Sequence, residues 1–175
     1  MIQQLSYLRH DARRIVNGRW HRLLVLPFSH GFAAVAMYRF ERGCWLTVGP
    51  RWPAIRILLS PLLALIRPWA GSEIHYKADI GPGLLILHPS LGVVVSGYAI
   101  IGRDAVLTGG NVIGTRPRGN HPGSVVLGDS VNLGSHAVVL GPVTVGDRVS
   151  VGANAVVLHD ADHDSTVVGA PARPV

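Results

Sequence analysis

The aliphatic positions of this chain change their period near residue 70. Before it, apolar residues come in helix-like clusters such as "HRLLVLPF" (21–28) and "GFAAVAMYRF" (31–40), with arginines between them. After it a six-residue period takes over. From residue 125 the chain reads "VVLGDSVNLGSHAVVLGPVTVGDRVSVGANAVVLHD", with Leu127, Leu133, Val139, Val145, Val151 and Val157 evenly spaced. Two positions before each stands a second small aliphatic: Val125, Val131, Ala137, Val143, Val149 or Ala155. Val95, Ile101, Leu107 and Ile113 form an earlier run in the same period, and Ile74, Ile80 and Ile86 a still earlier one. A period of six is neither helical nor a simple alternation. It predicts a short strand and a turn repeated around a triangular coil, a parallel β-helix whose stacked coils share one core. The chain therefore divides into a helical region, 1–70, and a solenoid, 71–175.

Two breaks interrupt the period. Ile86 and Val95 are nine residues apart, three more than one repeat. Ile113 and Leu127 are fourteen apart, which reads as two repeats with two residues added. Extra residues must leave the coil as loops, and loops on a rigid scaffold are where function concentrates. Each break holds a histidine: His88 in "ILHPSLGVVVSG" (86–97) and His121 in "TRPRGNHPGS" (115–124).

With these motifs in view, "GSEIHYKADIGPGLLILHPSLGVVVSG", "IGTRPRGNHPGSVVLGD" and "VGANAVVLHDADHDSTVVGAPARPV" resemble the catalytic part of the hexapeptide acyltransferases, and within them the serine acetyltransferases. The resemblance covers 71–175. It implies a left-handed parallel β-helix, mainly β, preceded by a short helical region. It further implies a homotrimer with acetyl-CoA bound between subunits, and direct attack of an acceptor hydroxyl on the thioester. It makes His88 the general base, Glu73 its carboxylate partner and His121 a second active-site histidine. Gly114, Gly134, Gly152, Ala153, Ala170 and Arg173 fall on parts that contact coenzyme A.

These residue types suit the chemistry. An alcohol needs a general base at neutral pH, and imidazole is matched to that task. A carboxylate on the other ring nitrogen fixes the tautomer and stabilises the imidazolium. Glu73 and His88 are fifteen residues apart where a coil takes eighteen, which predicts adjacent coils near one corner.

The chain departs from the family at two places. Leu87 stands where the family has an aspartate before its catalytic histidine, and Asn120 stands where it has an arginine before the second. Both touch groups that would hold an amino acid's charged ends, so the acceptor is L-serine by resemblance or a sugar hydroxyl by the departures. Arg116 or Arg118 is a candidate to replace the lost charge. A non-catalytic β-helix that binds a partner through its helices is the reading from another class. The chain ends without the tail by which family members dock on cysteine synthase, so that complex is not expected.

Composition refines this picture. Apolar residues are 48% and charged residues 15%, with 21 glycines and 12 prolines, which favours many tight turns over long helices. Cys44 is the only cysteine, so an intrachain disulfide is excluded and a reducing, cytoplasmic setting is expected. Residues 1–72 hold ten arginines against Asp11 and Glu41, while residues 73–175 are weakly acidic. The simplest reading is a solvated, arginine-rich helical face. No aromatic residues alternate with the basic ones as a nucleic-acid platform requires, so nucleic acid is not expected as a partner. "ILLSPLLALI" (57–66) is too short to span a bilayer. It packs as a helix or lies against the inner face of a membrane, a peripheral contact. "HDADHDS" (159–165) has metal-ligand residue types but falls on an ordinary turn of the family, so it reads as a solvated loop and no metal is expected. The histidine spacings do not suit a zinc site of three histidines.

Overall fold

The structure is a computed structural model that describes residues 1–19, 21–116 and 121–175, and the backbone alone of 23, 25 and 66–70. Among the described residues five α-helices come first: α1 (Ile2–Val16), α2 (Arg22–Val25), α3 (His30–Val48), α4 (Trp52–Leu58) and α5 (Ser60–Ala70). Ser29 caps α3 by accepting the N–H of Phe32, the favoured chemistry at a helix start. Fifteen short strands follow among the described residues, in three sheets. The first sheet stacks β1 (Glu73–Ile74), β4 (Val93–Val95), β7 (Asn111–Thr115), β10 (Val138–Gly141) and β13 (Val156–Val157). The second stacks β2 (Asp79–Ile80), β5 (Ala99–Ile101), β8 (Val125–Leu127) and β11 (Val143–Val145). The third stacks β3 (Leu85–Ile86), β6 (Val106–Leu107), β9 (Asn132–Leu133), β12 (Ser150–Val151) and β14 (Thr166–Gly169), closed by β15 (Ala172–Pro174), which runs antiparallel to β14. Every other pairing is parallel between successive coils, so the chain winds a three-walled prism.

The aliphatic pattern lines the inside. Ile80, Ile101, Leu127 and Val145 descend one wall, and Leu107, Leu133 and Val151 another, all buried. The first break inserts three residues, as the sequence implies: Glu73 pairs with Val94 rather than with the residue eighteen on. The second break differs from expectation. β7 and β8 are consecutive strands, so the segment from Ile113 to Leu127 holds one repeat and eight added residues rather than two repeats and two. The β7–β8 corner therefore carries a long loop.

The first coil has no coil beneath it, and the helices take that place. Buried Tyr38 donates from its hydroxyl to Ala78 O (2.9 Å) and accepts the N–H of Ile80 (3.2 Å). Burial pushes its phenol up to about 12, so it stays neutral and able to donate. Arg39 is also buried and donates to the carbonyls of Ile80 and Gly81 (both 2.6 Å). Asp11, fully buried on α1, pairs with Arg39 (2.9 Å) and accepts the N–H groups of Gly83 (2.6 Å) and Leu84 (2.9 Å). Arg14 donates to Gly83 O, and Arg42 to Lys77 O. The arginine-rich face expected to be solvated thus sends Arg39 into the core as a structural ion.

A second joint lies at the start of the prism. The His75 ring stacks on Tyr76 (4.5 Å), Arg56 sits over Tyr76 (5.4 Å) and pairs with buried Glu41 (2.8 Å). His75 Nδ1 accepts the N–H of Lys77 (3.1 Å), so this nitrogen is unprotonated. Burial pulls the His75 pKa below its ordinary value, helped by Arg56 and Lys77 and opposed by Glu41 and Glu73.

Two outcomes follow. Arg39→Met leaves the Asp11 carboxylate buried without its partner and should cost about 3–5 kcal/mol, read as a lower midpoint in a denaturant titration. His75 resists protonation more in the folded chain than in the unfolded one. Its contribution is complete above the ordinary imidazole pKa of about 6.5 and is lost as pH falls below it. His75→Asn keeps an acceptor for the Lys77 N–H, so its melting temperature should fall less than the wild-type value between about pH 7.5 and about pH 5.5.

Candidate functional site

The turns after β3, β6, β9 and β12 all join the third sheet to the first, so they stack along one corner of the prism. His88 is in the first of these turns. Its N–H donates to Thr108 O (3.0 Å), and its carbonyl accepts from Leu91 to close a short turn, Pro89–Leu91. The imidazole is exposed. In the next turn Gly109 passes so close to His88 O that a Cβ there would collide with it. Gly109 O accepts the N–H of His136 (2.8 Å), and Ser135 O accepts that of Asn154 (2.9 Å). The residues singled out as coenzyme A contacts largely share this column. Gly134 and Gly152 stand in its third and fourth turns, beside exposed Ala153, and exposed Ala170 follows β14 at the far end. Gly134 faces the backbone of Ala153 with no room for a Cβ, so it also serves the stacking of the turns. Gly114 lies in β7 on the adjoining wall, and exposed Arg173 lies in β15.

Glu73 occupies β1 and is exposed. It shares a cleft of about 450 Å³ with Leu91, Gly92, Gly110, Asn111 and His136. The carboxylate and the turn that begins at His88 therefore line one recess, although no Glu73–His88 hydrogen bond occurs among the described residues. Ser72 also lines this cleft, and its hydroxyl is buried without a hydrogen-bond partner among the described residues.

Leu87 is half exposed beside His88 and offers an apolar surface there. His121 lies elsewhere, in the β7–β8 loop at the corner between the first and second sheets. Its Nδ1 is 3.3 Å from Pro122 O, and Gly123 anchors the loop by donating to Tyr98 O (2.9 Å). Within one chain the two histidines thus sit at different corners. Arg116 runs along the axis from the same loop, donating to Gly141 O (3.2 Å) and Leu158 O (3.5 Å). Asn120 and Arg118 lie outside the described residues. In the 159–165 segment, Asp160 accepts the N–H of Thr144 (2.7 Å). Asp164 pairs with Arg148 and His163, which hold its carboxyl well below the usual range. These side chains bind the neighbouring coil or one another.

Two residues of the recess were not singled out from the sequence. Asn111 is fully buried at a position where other coils carry a small aliphatic. Its Oδ1 accepts the N–H of Gly109 (2.9 Å) and its Nδ2 donates to Gly134 O (2.7 Å), so it sets the turn that faces His88. The interruption of the aliphatic pattern two places before Ile113 was the available signal. His136 is exposed in a left-handed turn (φ 58°), and its ring lies where a Cβ on Gly110 would be. No feature of the local sequence separates it from the other turn residues.

Comparison with known proteins bears on the family and the fold. Residues 124–159 match the model of the bacterial transferase hexapeptide family, described as six repeats. The chain is 37% identical over 151 residues to a serine acetyltransferase of Synechococcus elongatus, covering 86% of the chain but 59% of that protein. It thus spans somewhat over half the length of that relative. It is 38% identical over 157 residues to the serine acetyltransferase of Helicobacter pylori, covering 90% of the chain and 86% of the relative. Soybean serine acetyltransferase complexed with serine superposes with a TM-score of 0.83 at 29% identity, over all of this chain and 70% of that one. The prism is a left-handed parallel β-helix, and the chain belongs to the serine acetyltransferase family.

Proposed function

We propose that the chain is an acetyl-CoA-dependent O-acetyltransferase, with His88 as general base, Glu73 orienting it and His121 assisting. The observation that carries this reading is the single corner column, which sets an exposed imidazole at one end of a line of tight turns. Coenzyme A would lie along that column, past Gly134, Gly152, Ala153 and Ala170, with Gly114 and Arg173 flanking it. His88 would take the proton of the acceptor hydroxyl as its oxygen attacks the thioester carbonyl. The tetrahedral intermediate would collapse by breaking the C–S bond, and the imidazolium would return its proton to the departing thiolate.

His121 reaches this chemistry from a second copy. The first wall, between the two histidine corners, presents Val94, Val112, Val138 and Val156 outward in register. Such an apolar row suits packing against another subunit, and a homotrimer would bring the His121 corner of one copy to the His88 corner of the next.

L-serine is the acceptor that family membership favours. A sugar hydroxyl is a second reading, favoured by the apolar Leu87 beside His88 and by the engagement of Arg116 with two carbonyls. Each leaves less cationic and anionic chemistry free to grip an amino acid's charged ends.

The test is release of free thiol from acetyl-CoA with L-serine beside a panel of sugars and nucleotide sugars. Saturable turnover with serine removes the sugar reading, and turnover with a sugar alone removes serine. His88→Ala should lower kcat by about 10²–10⁴. Equally slow release by wild type and His88→Ala with every acceptor would leave the non-catalytic scaffold as the answer. His136→Ala, which opens the recess without touching His88, should raise KM for the acceptor more than it lowers kcat.

A further inference from the structure

The helices hold two features that capping the prism does not use. The first is an apolar stripe. The helical hydrogen bonds continue from α4 into α5 through Leu59 N–H to Ile55 O and Leu63 N–H to Leu59 O. Ile55, Leu58, Leu62 and Leu65 are then three, four and three residues apart, which places them on one face. Leu58 is 81% exposed, Leu62 57% and Leu65 78%, whereas Leu63 on the opposite side is buried against α3. An open apolar cleft of about 470 Å³ lies between α3 and α5, lined by Phe32, Ala33, Met37, Phe40, Leu62 and Leu63. Leu62 and Phe40 belong to both the cleft and the exposed surface.

The second feature is charge. Residues 1–72 carry two acids, and both are buried in ion pairs: Asp11 with Arg39 and Glu41 with Arg56. Both carboxylate side chains of this region are buried. Arg14 and Arg42 pair with Asp104 and Asp79 of the prism. Arg9, Arg13, Arg19 and Arg51 are exposed and make no salt bridge among the described residues. The helical surface is thus apolar and cationic with no exposed acid to oppose it.

An apolar stripe of leucines on a helical region whose exposed charges are all cationic is complementary to one surface in particular, an interface of acyl chains beneath anionic headgroups. No helix among the described residues is long and apolar enough to cross a membrane, so the contact would lie in the plane. We propose that α4 and α5 dock the protein on an anionic phospholipid bilayer, with Leu58, Leu62 and Leu65 entering the headgroup boundary and Arg51, at the start of α4, contacting lipid phosphates. The docking does not depend on acetyl transfer, because it is read without turnover.

The test is flotation of the full chain with two vesicle types, phosphatidylcholine alone and equimolar phosphatidylcholine and phosphatidylglycerol. The wild type should float with the phosphatidylglycerol vesicles and far less with phosphatidylcholine, and binding should fall as salt screens the arginines. Leu58→Asp with Leu65→Asp removes exposed side chains only and should weaken partitioning by more than about tenfold. Arg51→Gln should weaken it by about fivefold. Circular dichroism melts establish that each variant is folded. If the double aspartate variant melts early, Leu65→Ser alone replaces it and should still lower partitioning. Failure of the wild type to float with phosphatidylglycerol vesicles overturns the proposal, as does equal flotation of the folded aspartate variant. A smaller sedimentation coefficient for that variant, with no vesicle binding by wild type, would make the stripe an interface between copies and also overturn it.

Discussion

The open end of the first coil is the constraint on which the rest of the molecule depends. Each interior coil has its backbone groups paired by a coil on either side. The first has one side bare, and a buried donor or acceptor left unmade costs about 1–3 kcal/mol. Tyr38, Arg39 and Asp11 meet those groups one by one, at the carbonyls of Ala78, Ile80 and Gly81 and the N–H groups of Ile80, Gly83 and Leu84. A repeat array needs such a terminal cap. The helices are therefore part of how the prism begins. At the other end, β15 folds back antiparallel on β14 and closes the third wall.

The prism was legible because its walls repeat one demand. Each inward position takes a small aliphatic, and each turn follows at the same phase, so the three walls emerge from spacing alone. The long loop was miscounted because aliphatic spacing does not say which wall a strand belongs to. Ile113 and Leu127 proved to be on consecutive walls, and this reassigned one whole repeat to the loop. The buried ion pair was not legible at all. Arg39 and Asp11 are 28 residues apart on different helices, and both meet a coil more than 40 residues further along. Local pattern records charge but not what that charge will face.

The recess shows the same division. His88 was visible because it breaks the period, whereas the coenzyme A candidates came from the family resemblance and not from the spacing. Asn111 left a mark in the sequence, a polar residue at an aliphatic position. His136 left none, since Asp104, Ser130, Arg148 and Asn154 also take left-handed turns. What sets it apart is its place: with Gly110, whose missing side chain leaves room for the ring, it lines the recess that holds Glu73.

After the three-residue break, Glu73 faces Val94, Asp79 faces Ile100 and Leu85 faces Val106, each 21 residues on. After the eight-residue break, Val112 faces Val138, Ile100 faces Val126 and Val106 faces Asn132, each 26 residues on. Both insertions leave the chain at a corner and return it to the wall in the same frame. Not one inward aliphatic changes side. The corners of this prism are thus places where length can be edited without a frame-shift in the core. A lineage can enlarge or reshape what surrounds His88 or His121 while the walls go on folding as before, so the shape of the corners and the stability of the walls can vary separately.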